Sequence, residues 1–167
     1  GVRQIVIIIS DTSVITNLAA IGQLDLLQKL YNKILIPQAV YQELTGIDIT
    51  IPGSLEVQSL NWFEVDQVKN QGLVKTLLDK QLDIGECEAI TLAIELNAEL
   101  LLIDERRGRA EATRLGLRIT GLLGVLVEAK QKGFILSVKP LIDNLINSAQ
   151  FRVADDLYQK ILNIVGE

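Results

Sequence analysis

The sequence predicts an α/β fold: a three-layer sandwich with a central, mainly parallel sheet of about five strands between helical layers. Three observations predict it. Short β-branched and aliphatic runs alternate with segments of helical spacing, and the connections are short. The first run, Ile5–Ile9, is five β-branched apolar residues in succession, as in a strand covered on both faces. The composition, 49% hydrophobic and 22% charged over 167 residues, supplies one domain with a core and excludes a disordered chain.

The first run is too short to span a membrane and lacks helical spacing. It ends in Asp11, and Thr12 and Ser13 offer side-chain oxygens suited to a helix start. A carboxylate is thereby delivered to the carboxyl end of a central strand, where open α/β sheets bind their ligands. The alternative is that Asp11 only turns the chain or caps the helix. Residues 14–21 continue as a short helix closed near Gly22, and 24–30 suggest another. Lys33–Ile36 reads as a second strand, with Pro37 at the first position of a helix that runs to Leu44 and carries Glu43 near its end. Residues 46–56 hold turn residues and read as a loop leading into irregular structure.

Asn61–Asp66 reads as a third strand and 70–80 as a surface helix. Asp83 and Glu86 stand three apart ahead of an apolar run that reaches Asn97, a capping-box spacing with Asp as the cap. Residues 98–103 supply a fourth strand ending in Asp104, 106–115 a helix, 117–120 a short fifth strand, and 121–132 a helix closed by Gly133. Helices over 137–147 and 156–165 complete the chain. Residues 1–140 read as the domain itself, and 141–167 as a helical extension packed on it or on a partner.

Histidine is absent, which excludes Ser-His-Asp and Cys-His catalysis and His-ligated zinc. The single cysteine, Cys87, excludes an internal disulfide and a cysteine-rich zinc site; beside two glutamates it reads as a buried structural thiol. One cysteine and no visible signal peptide fit a reducing, cytoplasmic setting, and nothing suggests a membrane. Methionine is missing even at position 1, which suggests a processed or artificial amino terminus. The net charge of -5 argues against a broad nucleic-acid-binding surface but leaves room for a local basic patch. No Walker-type loop and no Gly-x-Gly-x-x-Gly after the first strand is present, and the first strand lacks the paired acids of a phosphoaspartate switch.

Chemistry must then come from carboxylates, hydroxyls, Lys and Arg, or a metal held by oxygen. Two strands end alike, in Ile9-Ser-Asp11 and Leu102-Ile-Asp104, and parallel strands present these ends on one edge. Glu86 opens the helix before the second of these strands, and Glu43 ends the helix after strand two. Two carboxylates about 4–5 Å apart repel by roughly 3–4 kcal/mol at an effective dielectric near 20, so several such pairs need a cation. An all-oxygen cluster suits Mg²⁺ or Mn²⁺. Taken singly, Glu86 also fits a capping box and Glu43 surface charge. Arg106, Arg107 and Arg109 could hold phosphate beside the acids, or form a solvated face paired with Glu105 and Glu111.

In their order, these acids resemble the PIN domain, and within it the small prokaryotic branch DUF3368. The residues that carry the resemblance are Asp11-Thr-Ser13 after the apolar strand, Ile36-Pro-Gln-Ala-Val-Tyr-Gln-Glu43, Leu82-Asp-Ile-Gly-Glu-Cys-Glu-Ala-Ile90, Leu101-Leu-Ile-Asp-Glu-Arg-Arg-Gly-Arg109, and Gly121-Leu-Leu-Gly-Val-Leu126 with Ala129-Lys-Gln-Lys-Gly133. The resemblance implies an acidic pocket at the carboxyl edge of the sheet and Mg²⁺- or Mn²⁺-dependent cleavage of RNA. It implies kinship with VapC-type toxins, hence a possible antitoxin partner, and a homodimer. Asp11, Glu43 and Asp104 match the acidic metal site. Glu86 matches a position that is often Asp, with Asp83 as a nearby substitute. Thr12 or Ser13 matches the hydroxyl residue that orients the first acid. The expectation is a metal-dependent ribonuclease; the alternative is a PIN-fold module that binds nucleic acid or protein without cutting.

Overall fold

The computed structural model describes residues 5–46 and 50–167. Strand β1 (Ile8–Ser10) leads into α1 (Thr12–Ala20) and α2 (Asp25–Tyr31), then β2 (Ile34–Pro37) into α3 (Gln38–Thr45) and α4 (Ser54–Ser59). Strand β3 (Phe63–Asp66) is followed by α5 (Gln71–Asp79) and α6 (Ile84–Glu95), and β4 (Leu100–Leu102) by α7 (Arg106–Arg114). Strand β5 (Ile119–Thr120), α8 (Leu122–Gln131), α9 (Lys139–Ser148) and α10 (Asp155–Ile164) close the order.

All strand pairs are parallel, in the order β3-β2-β1-β4-β5. The chain winds outward from β1 to β3, then returns to the other side of β1 to lay down β4. The order therefore reverses between β1 and β4, and their carboxyl ends flank the crevice where such sheets bind ligands. Ser10 pairs with Leu102, and the Asp11 amide donates to the Leu102 carbonyl at 2.9 Å, so the register sets Asp11 beside the end of β4.

Side chains alternate between two cores. Ile8, Ile34, Ile36 and Leu102 face one layer, built with α1, α2, α8, α9 and α10. Ile9, Leu101 and Ile103 face the other, against α5, α6 and α7. Buried Ile142, Leu145 and Ile161 put the two closing helices into the first core. The Glu167 carboxylate accepts from Lys130 Nζ and from the Val138 and Lys139 amides, which pins α10 to the start of α9.

The sheet departs from the sequence expectation in its details. Ile5 and Val6 are exposed and lie before β1, because the paired part of β4 starts only at Leu100; Ile7 is reached by one bond from the Glu99 amide. Pro37 ends β2 and caps α3 rather than starting it, since its extended backbone (ψ 162) still pairs with β3. A helix, α4, stands where a loop and irregular structure were expected. Gly53 precedes it with φ 94, and buried Ser54 and Val57 hold it, a tertiary stabilisation that six residues do not announce. Residues 47–49 of that expected loop lie outside the described residues.

Candidate acidic site

Asp11 occupies the N-cap position of α1, yet its side chain makes no capping bond. It is 4% exposed, and burial pushes its carboxyl up to about 7; the Thr12 amide opposes this, while Asp83, Glu43 and Asp104 add to it. The capping role considered for Asp11 is thus not the one its carboxylate plays. Neither hydroxyl after it caps the helix. Thr12 Oγ1 donates to Glu43 Oε2 at 2.6 Å, and Ser13 Oγ is buried without a partner.

Glu43 is half-buried near the end of α3. Burial raises its pKa, against the Thr12 hydroxyl and the Gly85 amide, which favour the charged form. Asp83 caps α6 by accepting from the Glu86 amide at 2.8 Å, so the capping-box spacing does mark the helix start. The Glu86 side chain is 4% exposed, and its Oε2 has no hydrogen-bond partner. Burial first, then Asp83, Asp11 and Glu105, push its carboxyl up to about 9. Asp104 anchors one oxygen on the Leu122 amide (2.9 Å) at the start of α8 and leaves Oδ2 buried and unpartnered. Burial raises its pKa, while Leu122 and the Arg109 guanidinium lower it.

These four acids and Asp83 line one cavity of about 450 Å³ at the β1–β4 crevice, with Thr12, Ser13, Thr16, Asn17, Glu105 and Phe151. Three glycines give the carboxylates room. A Cβ on Gly85 would lie 2.5 Å from Glu43 Oε1, one on Gly108 would lie 2.6 Å from Glu86 Oε2, and one on Gly121 would collide with Asp104 Oδ1.

The arginines separate. Arg109 is half-buried beside Asp104 and donates to the Ile103 carbonyl at 2.9 Å. Arg107 is exposed and donates to Gln81, and Arg106 is exposed; none of the three lines the acidic cavity itself. Sequence reasoning did not single out Asn17, Glu105 or Phe151. Asn17 lies on α1 four residues past Ser13, a helical spacing that could have found it. Phe151 comes from a distant turn and left no signal.

The donor set is all oxygen, and a buried, unpartnered oxygen on each of Glu86 and Asp104 belongs to the same cavity lining as buried Asp11, a donor chemistry that suits a hard divalent cation such as Mg²⁺ or Mn²⁺. Among the described residues no three acids are already gathered at ligating distance. Fold and cavity define a parallel α/β/α domain with a carboxylate-lined cleft at the switch point of its sheet. The sequence model of DUF3368, described as a PIN domain, matches residues 7–167, and the chain belongs to the PIN-domain family. PIN domains are generally nucleases and typically use divalent metals. No curated protein matches the chain. Among the described residues no helix is long and apolar enough to cross a membrane.

Proposed function

We propose that this chain is a metal-dependent ribonuclease whose cation is held by Asp11 and Asp104 directly, with Glu43 and Glu86 completing the set directly or through water. The observation that carries the reading is the pair of buried, unpartnered oxygens on Glu86 and Asp104 beside the buried Asp11. Buried charge without a partner costs several kcal/mol, and a fold keeps such groups together when a cation offsets them. Bound there, a divalent ion supplies charge against the carboxylates and the phosphate and makes water a better nucleophile.

The remaining work falls to the chain. Thr12 holds Glu43, and the Leu122 amide holds Asp104, so both acids are oriented before substrate arrives. Glu43, half-buried and open to the cavity, takes the proton of the attacking water. Arg109 sits next to Asp104 and steadies the phosphate; Arg106 and Arg107 serve strand segments farther out. RNA as substrate, and a toxin role with a cognate antitoxin and a homodimer, follow from the family resemblance.

A second reading, a PIN-fold module that binds RNA without cutting, is favoured by the spread of the acids, since no three are at ligating distance. One experiment separates them. The native protein is expected to cleave single-stranded RNA with Mn²⁺ and not with EDTA, and Asp11→Asn to lose cleavage while keeping its circular dichroism. Undiminished cleavage by Asp11→Asn rejects the site. Growth arrest on expression of the native chain, absent for Asp11→Asn, tests the toxin role.

A further inference from the structure

A second cavity of about 470 Å³ opens beside the acidic one and shares two of its walls, Asp104 and Phe151. Its other walls differ in kind. Leu123, Leu157 and Ile161 supply an apolar side, and Arg109 and Arg152 supply two cations. Among the described residues neither arginine is in a salt bridge, although the chain is acidic overall. Phe151 is held by its amide, which donates to the Leu145 carbonyl at 3.0 Å, and by Gln150, whose backbone adopts φ 55 and turns the chain back from α9. A non-glycine residue in the left-handed region is costly, and here it brings an aromatic ring to the boundary between the two cavities.

The geometry points to a nucleotide pocket: this cavity takes the nucleotide next to the scissile phosphate of a single-stranded RNA, its base against Phe151 and the apolar wall, its phosphate between Arg109 and Arg152. The assignment rests on the ribonuclease reading, which makes the acidic cavity the place of the scissile phosphate. Charge supports it. An anionic strand is repelled by the acids, and the adjoining wall carries these two arginines, neither of them in a salt bridge among the described residues. Chemistry supports it too. An aromatic ring stacks on any base, a guanidinium takes a phosphate, and a base still stacked within a duplex presents neither face to such a cleft.

The test uses the full chain with Asp11→Asn, so that binding is read without cleavage. Affinity for a fluorescein-labelled single-stranded oligoribonucleotide in Mg²⁺ is measured by anisotropy, with a blunt duplex of the same sequence beside it. Phe151→Leu and Arg152→Gln are each expected to weaken strand binding by about 5- to 100-fold with the duplex affinity unchanged, and exposed Arg152→Gln to leave the unfolding midpoint where it was. A strand of abasic nucleotides should bind the unaltered Phe151 protein as weakly as the natural strand binds Phe151→Leu. Unchanged strand affinity in both variants, or tight binding of the abasic strand, overturns the pocket. Cleavage by the native chain alongside that result leaves the ribonuclease reading standing. Strand binding that responds to Phe151→Leu in a chain that never cleaves establishes the pocket and removes the nuclease.

Discussion

The Thr12 hydroxyl donates to Glu43 Oε2 at 2.6 Å, joining the first turn of α1 to the last turn of α3 across 31 residues of sequence. The bond fixes one acid of the cavity through a residue adjacent to another. Thr12→Val keeps the shape and removes the donor. It is expected to cost about 1–2 kcal/mol in urea unfolding, as for a part-buried hydrogen bond to a charged group. It should also lower Mn²⁺-dependent cleavage about tenfold or more by releasing Glu43. Thr12→Ser restores the hydroxyl and should recover most of both. Equal cleavage by the Val and Ser variants would show that Glu43 needs no such support.

Gly108 lies under Glu86 in the packing of α7 on α6. A Cβ there would come within 2.6 Å of Glu86 Oε2 and 2.7 Å of Ile103 Cδ1. In an exposed helix, Gly→Ala adds up to about 1 kcal/mol of stability. Here overpacking should reverse the sign, with a loss of about 1–3 kcal/mol. Displacement of Glu86 should weaken Mn²⁺ binding as well. Calorimetric titration of Mn²⁺ into Gly108→Ala against the native chain, with thermal unfolding of each, checks both parts.

The raised acids predict an inverted pH dependence of stability for the metal-free protein. The Asp11 carboxyl sits at about 7 in the fold against an ordinary 3.8, and Glu86 at about 9 against 4.5. The unfolded chain therefore gives up these protons first as pH rises. Between about pH 4 and pH 9 the folded state binds more protons, so its stability is full below pH 4 for these two groups and falls through that window. Glu167 works oppositely. Held at about 2 by Lys130 first and by the Val138 amide, it contributes stability above about pH 4.5 that is lost as pH falls towards 2. Thermal midpoints in EDTA should decline from pH 5 to pH 9, Glu86→Gln should flatten the decline, and Mn²⁺ should raise the midpoint most at the alkaline end. A midpoint that climbs steadily to pH 9 without metal would contradict the burial of these acids.

Much of this molecule is written in short-range pattern. The β-branched run before Asp11, the Asp83–Glu86 spacing and the matching ends Ser10-Asp11 and Ile103-Asp104 are local, and they specify strands, a capped helix and the edge on which two acids emerge. Other features have no local trace. Whether Asp11 caps its own helix depends on its surroundings, which are burial first and then the charges of Asp83, Glu43 and Asp104 in the same cavity. Helix α4 stands where turn residues suggested a loop, because Val57 finds a buried position. Three neighbouring arginines look alike in sequence, but helical rotation carries Arg109 towards Asp104 and leaves Arg106 and Arg107 in solvent.

Local pattern and composition were enough for the parallel α/β architecture, for the lack of any histidine or disulfide chemistry, and for naming four acids that line one cavity. Three-dimensional packing alone shows which oxygens are left without partners, that Gly85, Gly108 and Gly121 make space for three carboxylates, and that Phe151 stands between two adjoining cavities. The reason is that periodicity and capping act over a few residues, and so leave a mark in the order of the chain. Desolvation and close packing depend on which distant segments meet, and the β1–β4 register settles that by bringing residues some ninety positions apart to one edge.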